Sequence, residues 1–498
     1  MIALKQNYVI AHDGIFYVKM AKLYSAGQYH HQIFRDYPYY AFFPLLILPF
    51  HKVFGDWVLA GQWISVLCGA LTVIPLYFLA WRIFGEKVAL LAAIFYIVCP
   101  ILVRYSAEIL RDIPFVFFYT TALWWGYKGI RDEKIVFVGL AGLFIALSAS
   151  LRIEGSTLLV SLLLFVFWHG IKNDVPWQKS LTACGVLLFG AIFVLLLFGF
   201  LLTQKGVKLS SGQIATAKIA LTSLENETIK NLEREVEEKG VSQKGRSFFY
   251  LARKHRFVLY ISHIFYKIVK VFNILFLLFL FGLIRRKEIG YRQDEFLLFT
   301  IYALFIPVFF LFLNVTNELS TRSPFPVVIP SLIWSAVGFV EFKERVFLWI
   351  KERDFALRGK VLRWVTPLLL LLICIPLLSM AWAPRRKNKL ELKEIGLWLK
   401  NNGYAHSTIV AQGEFSRLVF YADGAFVPLP KGTYQDIIRF AREKGASLLV
   451  ISERTIDRFS PNFLNLVSSE DLQRIHIPGV KTPQYATLVF RVRLKRIE

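Results

Sequence analysis

Ten apolar stretches recur between residues 57 and 382, and the ionisable residues gather between them. The stretches cover 57–84, 87–103, 113–128, 135–151, 157–168, 181–203, 263–284, 296–314, 324–340 and 364–382. Most reach or approach the roughly 20 residues that an α-helix needs to cross about 30 Å of hydrocarbon. The stretch at 157–168 is short and calls for tilt, distortion or extension into its flanks. This spacing predicts an all-α polytopic membrane domain over residues 1–383 with ten transmembrane helices. Beyond residue 383 the pattern changes. Residues 391–402 and 434–444 carry helical periodicity, whereas 408–411, 447–452 and 487–493 read as strands and Asp423-Gly424 as a turn. Residues 384–498 are therefore expected to form a small soluble α/β domain. That tail contains no Gly-rich phosphate loop, no metal-ligand spacing and no evident nucleophile site.

Composition agrees with a membrane chain and adds an orientation. Hydrophobic residues make up 56% of the 498, and the formal net charge is +24. In a soluble protein that charge would suggest nucleic acid; here the excess sits in short loops, where Lys and Arg mark the cytoplasmic side. One alternating set of loops holds Arg82 and Lys87; Lys128, Arg131 and Lys134; Lys172 and Lys179; Arg285 to Arg292; and Lys343 to Arg363. With that set inside, residues 1–56, 104–112, 152–156, 204–262, 315–323 and the tail face outward. Arg385, Arg386 and Lys387, directly after the last stretch, run against the rule. The 204–262 loop is basic too, but loops near 60 residues translocate largely regardless of charge. The chain is thus expected in the plasma (inner) membrane, with the C-terminal domain extracytoplasmic. Cys68, Cys99, Cys184 and Cys374 all fall inside apolar stretches and read as small buried hydrophobes, without a disulfide or zinc pattern.

This orientation places the start of the chain outside, yet no apolar run precedes His12 to carry it there. Either the topology is inverted or a first transmembrane helix is missing. Consistency over five inner loops favours the missing helix, which would bring the count to eleven.

Three outer segments set acidic and basic residues beside aromatic ones. The first opens with His12-Asp13-Gly14 before a helical pattern and continues through His30, His31, Asp36 and Tyr37-Pro38 to an apolar run, 42–50, that is too short to cross and suits an interfacial helix. The second is Arg104-Tyr105-Ser106-Ala107-Glu108-Ile109-Leu110-Arg111-Asp112-Ile113-Pro114. The third spans 317–324 and carries Arg322. Each has a plain structural reading. Aspartate before a helix is a good N-cap, worth about 1 kcal/mol, which accounts for Asp13. Glu108 and Asp112 repel weakly at four-residue spacing on a helix; Arg104 and Arg111 neutralise them. Arg322, His30 and His31 serve equally well as interfacial anchors.

The order of these motifs resembles the GT-C superfamily of membrane glycosyltransferases that use polyprenyl-phosphate sugars. The features are an acidic residue opening a juxtamembrane helix, Tyr37-Pro38, the block from Pro100 to Pro114, Leu151-Arg152-Ile153-Glu154-Gly155 in place of a Thr-Arg-Pro-Glu-Gly element, and Thr321-Arg322 before Phe325-Pro326 and Pro330. Within the superfamily the chain looks most like the dolichyl-phosphate-mannose protein mannosyltransferases and the bacterial aminoarabinose lipid A transferases. The resemblance implies an inverting transferase, with a polyprenyl-phosphate-linked sugar as donor, a lipid, protein or glycan hydroxyl as acceptor, and no nucleic acid. It implies Asp13 as the catalytic base and Glu108 and Asp112 as the acidic second-loop site. Arg104, Arg111, Arg152 and Arg322 become phosphate contacts, and Tyr37, Tyr105 and Glu154 line the substrate. A monophosphate donor requires no divalent ion, so no obligatory cofactor is expected, though His30 and His31 near Asp36 leave room for a metal. The rivals are a polytopic transporter and a related glycan ligase or polymerase using diphosphate-linked donors. Charges at helix ends, without an internal repeat, argue against the transporter, while Pro75 and Pro307 inside apolar stretches keep it open.

Overall fold

The computed structural model describes residues 7–29, 31–36, 40–204, 233–237, 242–289, 293–316, 318–352, 358–478 and 487–493. Two compact units result: residues 17–382, and residues 1–16 together with 383–498.

The first unit is helical. Among the described residues six helices are long and apolar enough to span a membrane, or eight if each of two bent pairs counts as one span; ten straight crossings are not found. Residues 57–84 form one candidate span, Trp57–Phe84. The short stretch at 157–168 is lengthened by a 3-10 turn, Ile153–Ser156, that runs into the helix Thr157–Lys172. Residues 87–103 do not make one straight helix. Glu86–Val98 and Pro100–Ser106 meet at 60°, because the residue before a proline is pushed out of the helical region and Cys99 is extended (φ −63°, ψ 114°). Residues 263–284 break as well: Arg256–Phe272 and Leu275–Arg285 are bent by 106° at Asn273, whose φ is 56°. Ile135–Leu151 is apolar but only 17 residues long.

Close helix contacts take the place of a hydrophobic drive that lipid does not supply. Leu275–Ile289 packs on Phe325–Glu352 where two glycines face each other. A Cβ on Gly338 would fall on the Leu278 carbonyl oxygen, and one on Gly282 on that of Trp334. Phe325–Glu352 is the most enclosed candidate span, with 83% of its apolar window buried. By contrast, Leu196, Phe189 and Leu372 leave their side chains exposed, as surfaces meeting lipid do.

The second unit is an α/β domain. Strands β1 (Thr408–Ala411), β2 (Ala425–Pro428), β3 (Leu448–Ser452), β4 (Leu472–Arg474) and β5 (Thr487–Val492) form one sheet in the order β2-β1-β3-β5-β4. β1 runs parallel to β2 and β3, and β5 is antiparallel to β3 and β4. Side chains alternate across the sheet. Ile409, Leu448 and Val450 meet Leu392, Ile395 and Leu418 on one face, while Val410, Leu449 and Ile451 meet Ile437, Ile438 and Phe463 on the other. Both faces being covered explains why β3 reads as an unbroken apolar run.

The N-terminal strap belongs to this unit. Asn7 bridges Arg385, the Ile10 N–H donates to the Tyr421 hydroxyl at 2.9 Å, and Arg417 donates to the Ile10 carbonyl at 3.0 Å. Arg386 donates to the Asn7 side chain and the Val9 carbonyl. One of the cations that breaks the positive-inside pattern thus has a structural use.

Candidate functional site

The helical unit draws three segments, separate in sequence, onto one carboxylate. Asp112 starts the helix Asp112–Arg131 and is 3% exposed. One of its oxygens accepts from Arg152, and the other accepts from Arg322 at 3.1 Å. Arg152 is itself the extended residue that ends Ile135–Leu151, and it also donates to Glu154 in the following 3-10 turn at 2.6 Å. Arg111 donates to the Leu151 carbonyl at 2.9 Å, and its guanidinium stacks 4.1 Å above the Tyr40 ring, a cation–π contact. Phe115 lies beneath Arg152, 5.8 Å away. Burial alone would raise the Asp112 carboxyl, but the guanidiniums of Arg322, Arg152 and Arg111 outweigh it and hold Asp112 below the ordinary carboxylate range.

The turn carrying these groups is clamped from below. Ser65 donates to the Leu110 carbonyl at 3.4 Å. A Cβ at Gly61 would lie 2.7 Å from Ile109, and one at Gly69 would collide with Ser106. Two glycines on Trp57–Leu71 therefore let residues 104–112 settle onto that helix. Glu108 is buried in this turn (1% exposed) and Arg104 is half-buried. Tyr105 meets Phe325, the first residue of the late helix, edge to face at 5.8 Å.

Asp112, Arg111, Arg152, Glu154 and Arg322 thus assemble into one cluster, flanked by Tyr105. Asp13 is in the other compact unit, exposed in the first turn of the helix His12–Ser25. His31 is exposed, and its Nδ1 accepts from the Ile33 N–H at 3.2 Å. Tyr37 and His30 lie outside the described residues. Among the described residues no three His, Cys, Asp or Glu come together in a group that could hold a metal ion. Sequence reasoning missed Tyr40 and Phe115, which present rings to two of the arginines. An aromatic beside an arginine-bearing loop is their only signal.

Chemically, the arrangement is a buried carboxylate engaged by two guanidiniums. A guanidinium offers five N–H donors in a planar fork suited to phosphate, and Asp112 aligns two such forks. The Arg322 side chain is 24% exposed and that of Arg152 12%, so Arg322 is the more accessible to a ligand.

Residues 38–198 match the family model of the dolichyl-phosphate-mannose-protein mannosyltransferases. No curated protein matches the chain in sequence. ArnT from Cupriavidus metallidurans, crystallised with undecaprenyl phosphate, superposes with a TM-score of 0.56 at 11% identity, covering 98% of this chain and 95% of that one. The oligosaccharyltransferase of Archaeoglobus fulgidus, in complex with Zn and sulfate, gives 0.55 at 15% identity over 96% of this chain and 69% of its own. AglB from Archaeoglobus fulgidus, in complex with an inhibitory peptide and a dolichol-phosphate, gives 0.50 at 13%, covering 99% and 71%. With the apolar helices, these likenesses make the chain a multi-pass membrane protein with the fold of the GT-C glycosyltransferases.

Proposed function

We propose that the chain is an inverting glycosyltransferase that moves a sugar from a polyprenyl-phosphate donor to a hydroxyl of a protein, lipid or glycan at the extracytoplasmic face of the membrane. The observation that carries this reading is the convergence of Arg111, Arg152 and Arg322, from three separate loops, around Asp112, in a chain with this fold.

The donor phosphate is the leaving group. As the acceptor oxygen bonds to the anomeric carbon, the bond from that carbon to the phosphate oxygen breaks and negative charge grows on the phosphate. Charge-assisted bonds from guanidinium stabilise that growing charge and accelerate the step. Arg322 and Arg152 take this role, with Arg111 beside them, and the family resemblance adds Arg104. Asp112 is a positioning residue: already engaged by two arginines, it fixes their forks. Glu154 does the same for Arg152, and the family resemblance makes Tyr105 and Tyr37 substrate-lining residues. The acceptor hydroxyl must lose its proton to a carboxylate, and the family resemblance gives that task to Asp13, whose exposure suits a group that has to meet substrate.

Membranes containing the chain, supplied with a panel of polyprenyl-phosphate sugars, test the reading. Transfer is expected with at least one donor and is abolished in Asp13→Asn while the protein still accumulates. Substantial transfer by that variant removes Asp13 from catalysis. Transfer from a diphosphate-linked oligosaccharide alone would support the ligase reading, which the oligosaccharyltransferase likenesses keep in view.

A further inference from the structure

The segment from 243 to 272 has no part in the proposed site, yet its chemistry is pronounced. It holds seven lysines and arginines and no carboxylate of its own, although Arg253 pairs with Glu233. It folds as two helices, Gln243–Lys254 and Arg256–Phe272. In the second, Tyr260, Ile264, Ile268 and Val271 are buried. At about 100° per residue, Arg256, Lys267 and Lys270 fall within about 60° of one another. Val258, Ile261 and Phe265 lie roughly opposite them and are exposed. One helix therefore has a packed face, an exposed apolar face and a cationic face.

The direction of the helix explains that division. Leu275–Ile289 packs on the candidate span Phe325–Glu352, and Arg256–Phe272 is bent by 106° from Leu275–Arg285. A helix nearly perpendicular to a span runs along the membrane plane. There an amphipathic helix sinks its apolar side to the acyl boundary and keeps its cations at headgroup level. Gln243–Lys254 continues the pattern: it has no buried residue, and Phe248 (73% exposed) and Leu251 share its apolar arc.

We propose that this helix pair is a binding surface for anionic phospholipid, with Arg256, Lys267 and Lys270 as the headgroup contacts. Charge complementarity selects the occupant. Apolar burial alone would be indifferent to the headgroup, whereas a cationic row discriminates for phosphatidylglycerol-type lipids over zwitterionic ones. Such contacts act within a Debye length and weaken with salt.

The test is retention of defined lipids by the purified full chain, measured by native mass spectrometry with dioleoyl-phosphatidylglycerol, dioleoyl-phosphatidylcholine and undecaprenyl phosphate. Wild type should prefer the glycerol lipid, and the preference should fall about fivefold for each cation removed in R256Q, K267Q and K270Q. Arg256→Lys should keep it. Undecaprenyl phosphate retention should stay unchanged in all four. Equal retention of the two phospholipids by wild type overturns the proposal, as does an unchanged preference in the triple variant. Loss of undecaprenyl phosphate alone would make the surface a donor-capture site and overturn it too. If the triple variant fails to fold, wild type decides: a preference that persists undiminished at high ionic strength refutes headgroup electrostatics.

Discussion

Replacing Asp112 with asparagine probes the centre of the cluster while preserving its shape. Removing one partner of a buried ion pair costs about 3–5 kcal/mol, because the surviving charge stays desolvated. Two features of this site reduce the figure. Arg152 keeps Glu154 at 2.6 Å, and the Arg322 side chain, 24% exposed, can draw on water once its 3.1 Å contact is lost. The expected loss lies at the lower end, about 3 kcal/mol. Reversible unfolding in mixed micelles measures it, and a cycle with Arg322→Gln isolates the pair. If Asp112 holds Arg322, the double variant costs less than the sum of the singles by about 1 kcal/mol or more. A single variant within about 0.5 kcal/mol of wild type, additive with Arg322→Gln, would refute the positioning role.

Three further outcomes follow from the same geometry. Because Asp112 is held below the ordinary carboxylate range, its contribution is complete above about pH 4 and is lost as pH falls through its lower folded-state value; the stability gap between wild type and Asp112→Asn should close in acid, and a constant gap would contradict the assignment. Arg322→Glu or Arg111→Glu should weaken donor use about tenfold or more, the worth of a lost bond to a charged group, and more than it lowers expression; donor saturation curves that do not move would leave both as interface anchors. Gly69→Ala drives a methyl into Ser106 and should cost about 1–3 kcal/mol through overpacking, with donor use falling alongside stability; a neutral variant would mean that the 104–112 turn is not clamped on this helix.

The helical membrane part and the α/β tail were legible because burial writes a period into sequence. The strands with strong apolar runs, β1, β3 and β5, could be read directly. The edge strands β2 and β4 could not: Ala425–Pro428 is mostly exposed and Leu472–Arg474 has three residues, so neither leaves a hydrophobic signature. The count of ten crossings is not confirmed, because at two places backbone overrides composition. Pro100 marks one break in the sequence, but the turn at Asn273 depends on a positive φ that an asparagine does not announce. In the site, the arginines were legible as residues near helix ends. Their partnership was not, since Arg152 lies 40 residues and Arg322 210 residues from Asp112, and no local pattern encodes a pairing at that range. Tyr40 and Phe115 escaped notice for the same reason, being ordinary aromatics until a guanidinium lies over them.

The central claim is displacement of a lipid-linked phosphate with inversion at the sugar. It is tested most directly by giving the purified protein in nanodiscs a polyprenyl-phosphate sugar of known anomeric configuration and reading the product by NMR. The account predicts one polyprenyl phosphate released for each sugar transferred, and a product of the opposite anomeric configuration. A product that retains the donor configuration, or turnover only with a diphosphate-linked glycan, would contradict it.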